Sequence, residues 1–332
     1  MSLLVSTSDR FGEHVAGRGH PERPARLDAV LAGVGAAGVD DAVVRVTPRP
    51  ATRDELETLH PAVYLDALER FCAAGGGHLD PDTGAVPESW GAAVLAAGAG
   101  PDAVDRLDRG EADAAFLAVR PPGHHATPTR AMGFCLLNNV AVTAAVLAAR
   151  GERVAILDWD AHHGNGTQDA FYADGRVLYL SLHEHPLYPY SGKLRETGTG
   201  DGEGTTVNVP LPEGATGDVY LHAFDALIGP AIEAFAPTWL LVSAGFDGHR
   251  ADPLTGLGLT SGDFADLTAR SIALVPAGRR VVFLEGGYDL QALADSTAAC
   301  VAGLVGVDLR PEPASSGGPG REVVEAALRL RA

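Results

Sequence analysis

The residues with the clearest capacity for chemistry lie in the run DWDAHHG at residues 158–164, directly after an apolar stretch. In an extended chain, side chains two positions apart point the same way, so Asp158, Asp160 and His162 are expected on one side. Asp160 and His162 could hold one divalent cation, with Asp247 from a separate segment as a third ligand. Such a set leaves a coordination position open for water, as a catalytic zinc site requires. The pattern predicts a metal centre; the plainer alternative is a set of polar groups that hydrogen-bond a loop.

Two adjacent histidines, His124 and His125, follow the Pro-Pro-Gly turn at residues 121–123. The prolines and the glycine would fix the backbone and let it approach a ligand closely. Adjacent imidazoles can share proton transfer if a carboxylate behind one and a neutral amide behind the other separate their pKa values. Asp158 and Asn165 are available for these two roles. Neighbouring histidines in a loop are otherwise most often polar surface, so this pair gains its significance from a metal site beside it.

Aromatic residues supply the remaining candidate groups. Tyr288 ends the segment EGGY, in which two glycines allow a sharp turn that would aim the phenol at the edge of a sheet. A phenolic hydroxyl can donate to a developing oxyanion without carrying charge, whereas the alternative is a tyrosine packed over a turn. Gly133 with Phe134, and Pro189 with Tyr190, could form the walls of a narrow channel.

Short apolar runs rich in β-branched residues alternate with amphipathic helical stretches, which predicts βαβ units and a parallel sheet covered by helices on both faces. The predicted strands are residues 43–46, 114–119, 154–158, 177–182, 206–209, 239–243 and 280–284. The predicted helices are residues 24–37, 62–73, 87–109, 138–149, 216–235, 261–274, 290–305 and 322–330. Because ligands of such sheets bind beyond the carboxyl ends of the strands, the candidate segments are expected to converge at one edge.

The chain shows no internal repeat and no long linker rich in proline, glycine and serine before residue 311. We therefore predict one doubly wound α/β domain over residues 1–310. The linker-like stretch PEPASSGGPG and a short last helix complete the chain over residues 311–332.

The 332 residues include 25 basic and 43 acidic side chains, giving a net charge of −18, and 46% are hydrophobic. This composition is typical of a soluble globular protein with a sizeable core. The acidic excess argues against nucleic-acid or anionic-membrane partners, because both require clustered lysine and arginine. A cationic small molecule or peptide is the easier ligand, and the sequence leaves the oligomeric state open.

Several features predict a cytoplasmic protein. No apolar run approaches the length of a spanning helix, and the first residues lack the pattern of a signal peptide. The three cysteines, Cys72, Cys135 and Cys300, are far apart and unsuited to metal-type pairs, which fits a reducing compartment. Lys193 is the only lysine, and together with abundant alanine and glycine it suggests a bacterial source.

Five segments in order, RPPGHHATPTRAMGFCLLNN, ILDWDAHHGNGTQDAFY, SLH, SAGFDGHRADP and EGGY, together resemble the zinc-dependent histone deacetylase family, including its bacterial acetylpolyamine amidohydrolase and acetoin-utilisation relatives. The resemblance covers roughly residues 18–308. It implies an arginase-like single α/β domain with a central parallel sheet, and hydrolysis of an N-acyl amide to an amine and a carboxylate.

The resemblance also implies roles for individual residues. The zinc ligands would be Asp160, His162 and Asp247. His124 and His125 would be a general acid/base pair with the partners Asp158 and Asn165, and Tyr288 would be a phenol that polarises the substrate carbonyl. The walls of the channel would include Gly133, Phe134, Tyr190 and Leu254. The family's structural potassium site would here comprise Asp158, Asp160, His162, Ser181 and Leu182. Asn165 and the LDPDT stretch at residues 79–83 are similar to the class II-like branch. Zinc and ferrous iron both suit the ligand set.

The substrate class depends on departures from the polyamine-specific relatives. The bacterial members among them carry a long inserted arm before the LDPDT-like region, where this chain is short. In a eukaryotic relative, a glutamate that favours polyamines stands at the position of Leu254. Both differences favour an acyl-lysine-like amine over an acetylpolyamine, although the net charge of −18 favours the polyamine. Two rivals are a manganese ureohydrolase, which would want aspartate at Gly164, and a non-catalytic acyl-ligand binding protein, which usually lacks a metal ligand or the phenol.

Overall fold

A computed structural model describes residues 1–331 of the chain. Its strands are β1 (Leu3–Ser6), β2 (Val43–Val46), β3 (Gly77–His78), β4 (Gly84–Ala85), β5 (Ala114–Leu117), β6 (Val154–Asp158), β7 (Val177–Glu184), β8 (Thr206–Leu211), β9 (Trp239–Ala244) and β10 (Arg280–Leu284). Eight of them form one parallel sheet in the order β2-β1-β5-β10-β9-β6-β7-β8, and β3 and β4 form a small antiparallel pair.

Helices connect the strands of the sheet. They are α1 (Ala25–Ala36), α2 (Arg53–Glu57), α3 (Ala62–Ala73), α4 (Ser89–Asp108), α5 (Asn139–Ala149), α6 (Asn165–Phe171), α7 (Gly217–Ala223), α8 (Gly229–Phe235), α9 (Ser261–Ile272), α10 (Leu290–Leu304) and α11 (Arg321–Arg331). A π-helical segment, Phe224–Ile228, joins α7 to α8, so the predicted helix over residues 216–235 is one continuous helical unit.

The central strands are largely apolar and are buried along their whole length. Every residue of β6, β7, β9 and β10 is buried, as expected for parallel strands covered on both faces. The predicted α/β fold class with a central parallel sheet is confirmed, and β6 and β10 have the predicted bounds.

Five of the labelled elements lie outside the predicted set: β1, the two-residue strands β3 and β4, and the helices α2 and α6. Strand β1 has only four residues, too few for a clear periodic pattern, and it pairs with β2 and β5 in the interior of the sheet. Helix α2 is five residues long and begins at a capping box between Thr52 and Glu55. Helix α6 follows the metal-type run and contains a glycine. Because short elements gain most of their stability from capping and tertiary packing, their sequence signals are weak.

The C-terminal segment packs on the main body. Helix α11 buries Val324 and Ala327 and contacts β8 and α7. Upstream of it, Glu312 accepts hydrogen bonds from Ser261 at the start of α9, and Ser315 binds Asp263. The division of the chain at residue 310 stays a prediction. No helix among the described residues is both long and apolar enough to cross a bilayer.

The sheet order decides which loops can meet. Strands β5, β10, β9 and β6 are neighbours, although they come from widely separated parts of the sequence. Their register aligns Asp158 at the end of β6 with Ser243 on β9 and Ser181 on β7. Since all these strands are parallel, the segments that follow them emerge at the same edge of the sheet.

Candidate active site

Three side chains with ligand atoms converge at this edge. Asp160 and His162 follow β6, and Asp247 follows β9. One ligand atom from each lies within 4.8 Å of the others, and the His162 Nδ1 atom is 2.8 Å from an Asp247 carboxylate oxygen and 3.3 Å from one of Asp160. Two carboxylates and an imidazole form a donor set that suits zinc or ferrous iron.

Backbone N–H groups orient both carboxylates. The second oxygen of Asp160 accepts a hydrogen bond from Gly286 N at 2.8 Å, and that of Asp247 accepts one from Ala161 N at 2.8 Å. Gly286 approaches so closely that a Cβ atom there would collide with both carboxylates, and a Cβ atom at Gly245 would collide with Asp160. These two glycines are therefore required for the close approach of backbone to ligands.

The three candidate ligand residues alter one another's pKa values. Burial, followed by the neighbouring charge of Asp160, raises the pKa of Asp247 to about 7. Burial opposes protonation of His162, but the charges of Asp247 and Asp160 outweigh it and raise its pKa to about 10. In the protein alone, the His162 imidazolium thus offsets two buried carboxylates, a role that a divalent cation would take over.

The two histidines of the Pro-Pro-Gly turn have different partners. His124 Nδ1 donates to Asp158 Oδ2 at 3.1 Å, and the same oxygen accepts from the Tyr179 hydroxyl at 3.1 Å. His125 Nδ1 lies 2.9 Å from Asn165 Oδ1, an amide oxygen that can only accept, so Nδ1 carries the hydrogen. The His125 Nε2 atom is therefore left as an acceptor.

These partners separate the two histidines in pKa. Burial lowers the pKa of His124, but the charges of Asp160 and Asp158 outweigh it and hold the pKa well above its usual value. Burial and the positive charges of His124 and His162 hold the pKa of His125 well below its usual value. A divalent cation nearby would oppose protonation of both rings. His125 is thus the neutral member of the pair at pH 7, as a proton acceptor must be.

Tyr288 lies near the candidate ligands. It is three residues after Glu285, which directly follows the end of β10. Its backbone N–H donates to Asp252 at 2.7 Å, and the Arg26 guanidinium lies 4.9 Å from the ring centroid. Burial raises the pKa of the phenol well above its ordinary value, with Arg26 opposing the shift. The hydroxyl therefore stays protonated and able to donate.

A cavity of about 190 Å³ connects these groups to the surface. It is lined by Asp82, His125, Gly133, Phe134, His162, Leu187, Tyr188, Leu254 and Tyr288. Phe134 meets Tyr288 edge to face at 5.8 Å between ring centroids, and Tyr188 meets His125 in the same way at 5.2 Å. The walls are aromatic and apolar, and the exposed carboxylate of Asp82 adds negative charge.

The structure corrects one predicted wall of the channel. Tyr190 is 69% exposed and does not line the cavity, whereas Tyr188, two residues earlier, does. Tyr190 has a left-handed backbone conformation (φ 66°), which turns the chain away from the direction that an extended strand would give. Gly133, Phe134 and Leu254 lie on the cavity as the sequence suggested.

The residues of the predicted potassium site lie on the adjacent strands β6 and β7 and in the segment that follows β6. Asp158 Oδ1 accepts from the Asp160 N–H at 3.2 Å, and Asp158 pairs with Ser181 in the strand register. Ser181 Oγ lies 2.9 Å from His183 Nδ1, and the Leu182 carbonyl lies 3.5 Å from the Tyr220 hydroxyl. Binding of potassium by this group stays a prediction.

Sequence reasoning did not assign four residues that the structure places at the site: Tyr188, Asp82, Glu285 and Ser243. Glu285 carried a usable signal, because it directly follows an apolar strand just as Asp158 ends one. Tyr188 had the same spacing signal as Tyr190 and could have been named as its alternative. Ser243 and Asp82 had none, since serine and aspartate at such positions are common.

The fold and the site define the class of arginase- and deacetylase-like hydrolases. The family described as "Histone deacetylase domain" matches residues 20–304, and the chain belongs to the histone deacetylase family. The predicted enzyme class, a hydrolase acting on amides, is confirmed.

Relatives agree with this membership. A protein of Archaeoglobus fulgidus named "Probable deacetylase" is 40% identical over 91% of this chain and 86% of its own length. The "Histone deacetylase-like amidohydrolase" of Pseudomonas aeruginosa is 40% identical over 82% of this chain and 73% of its own. A solved structure, the HDA15 HD domain, has a TM-score of 0.91 at 37% identity and covers 100% of this chain and 96% of that chain.

Proposed function

We propose that the protein is a zinc-dependent deacylase that removes an acetyl or other short acyl group from an acyl-lysine-like amine. The observation that carries the proposal is that His125, Tyr288 and His162, one of the three candidate metal ligands, all line one narrow cavity. Membership in the histone deacetylase family supports the same reaction class.

The proposed metal ligands are Asp160, His162 and Asp247. Their ligand atoms lie within 4.8 Å of one another, and His162 lines the cavity, so a bound ion would be open to substrate. When bound, zinc would supply Lewis-acid polarisation of the substrate carbonyl and a water of lowered pKa. Ferrous iron is the alternative metal, and a structural potassium ion near Asp158 and Ser181 belongs to the same proposal.

The chain's own residues would perform the proton transfers. His125, with Asn165 fixing its tautomer, is the proposed base, because its Nε2 atom is free to accept a proton. One of the two histidines would then return a proton to the leaving amine, and the hydrogen bond from His124 to Asp158 would orient the His124 ring for this step. Tyr288 is the proposed donor to the developing oxyanion, a contribution of about 3 to 4 kcal/mol.

The shape of the cavity favours a long, unbranched acylated amine. Phe134 and Tyr188 form its aromatic walls, and Leu254 adds an apolar surface, which suits the methylene groups of a lysine side chain. Asp82 on the cavity and the net charge of −18 favour a cationic substrate, so an acetylpolyamine is the alternative. A bacterial source and a cytoplasmic location, suggested by composition and by three free cysteines, complete the proposal.

The proposal is tested by steady-state hydrolysis of acetyl-lysine peptide, trifluoroacetyl-lysine peptide, acetylputrescine and acetylspermidine by the purified protein with one equivalent of zinc. Turnover of the lysine derivatives is expected, with Tyr288→Phe lowering kcat about 100- to 1000-fold while zinc stays bound. Preference for the polyamines would support the alternative substrate.

Two outcomes would contradict the proposal. A fully active Tyr288→Phe variant would exclude the oxyanion role of the phenol. Absence of turnover on the whole panel, with zinc bound stoichiometrically, would favour a non-catalytic acyl-ligand binding protein. Binding of an acetyl-lysine peptide, measured by calorimetry, would then identify that second class.

A further inference from the structure

A buried carboxylate with no role in the proposed chemistry lies directly beneath the histidine turn. Glu285 immediately follows β10 and has no exposed surface. Its Oε2 atom accepts hydrogen bonds from Gly123 N at 2.7 Å and His124 N at 3.2 Å. Its Oε1 atom accepts one from Ser243 Oγ at 3.3 Å. The side chain thus binds the backbone of the turn that carries both proposed acid/base residues.

Backbone groups of Glu285 and of the two residues that follow it contact other parts of the site. The next residue, Gly286, donates its N–H to the proposed ligand Asp160 at 2.8 Å. The Arg26 guanidinium donates to the Glu285 carbonyl at 2.5 Å and to the Gly287 carbonyl at 2.6 Å. One short segment at the end of β10 therefore fixes the histidine turn, a metal ligand and the approach to Tyr288.

We infer that Glu285 is a positioning residue that fixes the backbone of the His124–His125 turn relative to the proposed metal ligands. The inference rests on the proposed function. Two successive N–H groups that converge on one carboxylate oxygen form a small anion-binding concavity, and this arrangement fixes both position and orientation of the turn. The His124 ring is hydrogen-bonded to Asp158 and the His125 ring to Asn165. A displacement of the backbone of the turn would therefore lengthen or break both hydrogen bonds.

Glu285 binds neither of its neighbouring strands through its Oε2 atom; that atom is committed to Gly123 and His124. Removing the carboxylate would leave two buried N–H groups without an acceptor, and the turn would shift to satisfy them. A shift of about 1 Å in a catalytic group costs on the order of 100-fold in rate.

The kinetic test compares Glu285→Ala with Glu285→Gln in the zinc-loaded protein. The amide oxygen of glutamine can still accept from the two N–H groups, whereas alanine offers no acceptor. We expect Glu285→Ala to lower kcat about 100-fold with KM changed less than about twofold. Glu285→Gln should recover most of this loss. Glu285→Asp, whose shorter side chain cannot reach both N–H groups, replaces the alanine variant if that one fails to fold.

The matched control is Asp263→Asn. Asp263 is also a buried carboxylate that accepts backbone N–H groups, from Thr260 and Ser315, but it lies at the start of α9. The Asp263→Asn variant should have a lower unfolding temperature than the wild type and an unchanged kcat. A Glu285→Ala variant with wild-type kcat would overturn the inference, and so would a glutamine variant as impaired as the alanine one.

A spectroscopic readout separates this inference from the proposed reaction. The hydrogen that His124 Nδ1 donates to Asp158 should give a strongly downfield proton resonance in the zinc-loaded protein. We expect the resonance to persist in Glu285→Gln and to shift or vanish in Glu285→Ala. If the wild-type protein hydrolyses nothing on the panel, the deacylase proposal fails while this signal still decides the role of Glu285. An unchanged signal in Glu285→Ala would overturn that role.

Discussion

At the residue scale, each proposed metal ligand is oriented before any ion binds. The carboxylates of Asp160 and Asp247 each use one oxygen for a backbone N–H and direct the other at His162. This division fixes the side-chain rotamers, so little conformational entropy would be lost on metal binding. The same division leaves two carboxyl groups in a buried place, where the His162 imidazolium offsets their charge until a divalent cation takes over that role.

The first prediction concerns the ligand from the separate segment. Asp247→Ala should lower zinc affinity at least about 100-fold, because it removes a charged donor and leaves two of the three ligands. Competition against a chelating dye measures the affinity. Asp263→Ala, which removes a buried carboxylate that binds Thr260 and Ser315 and none of the three ligands, is the control and should keep wild-type affinity. Wild-type zinc affinity in Asp247→Ala would exclude Asp247 as a ligand.

Zinc binding should also release protons. The pKa of His162 is raised to about 10, so its imidazole is protonated at pH 8 and must lose a proton before it can bind a metal. We expect at least about one proton released per zinc at pH 8, and an apparent affinity that falls about tenfold for each unit of decreasing pH. Calorimetry in two buffers of different ionisation enthalpy gives the proton count. A count of zero would contradict the charge state assigned to His162.

At the element scale, a histidine remote from the chemistry holds helix α5 in place. His60 is fully buried, and its Nε2 atom accepts from the backbone N–H of Asn138 at 3.0 Å while Nδ1 donates to the Pro128 carbonyl at 3.0 Å. Asn138 caps α5 and its side chain donates to the Ala126 carbonyl at 3.1 Å. The start of α5 thus supports the segment that follows the histidine turn.

The burial of His60 predicts that the stability of the protein depends on pH. Burial lowers the pKa of His60 to about 4, so the unfolded chain, with an ordinary histidine near 6.5, binds the proton first as pH falls. The free energy of unfolding should decrease by about 2 kcal/mol between pH 7 and pH 5 from this group alone. Urea unfolding of wild type and His60→Gln at both pH values isolates the contribution. Equal losses in the two proteins would exclude it.

At the scale of the whole molecule, the order of strands assembles the site and the net charge affects how substrates reach it. Residues 120–125, 158–162, 243–247 and 285–288 come together only because β5, β10, β9 and β6 are adjacent. The net charge of −18 gives the whole molecule a negative field that would attract cationic substrates from a distance.

The charge predicts a dependence of the reaction on salt. For an acetyl-lysine peptide with arginine flanks, kcat/KM should fall several-fold as ionic strength rises from about 20 mM to 300 mM, because the Debye length shortens below about 10 Å. The same peptide with neutral flanks should change less than about twofold. Stopped-time assays of both peptides across the salt range provide the comparison. Equal salt dependence would show that the field does not guide substrate.

Much of the fold followed from local sequence patterns. The buried strands are largely apolar runs, and α5 and α10 begin at the side-chain caps Asn138 and Asp289, so the parallel sheet and most element bounds could be predicted. Strand β1 and helices α2 and α6 could not, because four to seven residues carry too little periodicity and depend on neighbours distant in sequence.

The sequence by itself determined which residue types stand at the strand ends, and hence the donor set, the paired histidines and the family. The tertiary structure alone decided that Tyr188 rather than Tyr190 lines the cavity, since that depends on a left-handed backbone at Tyr190. It also decided that Glu285 binds the turn at His124, 161 positions away in the chain. Side-chain direction and contacts between distant segments arise from backbone dihedrals and strand order, which local residue patterns do not specify.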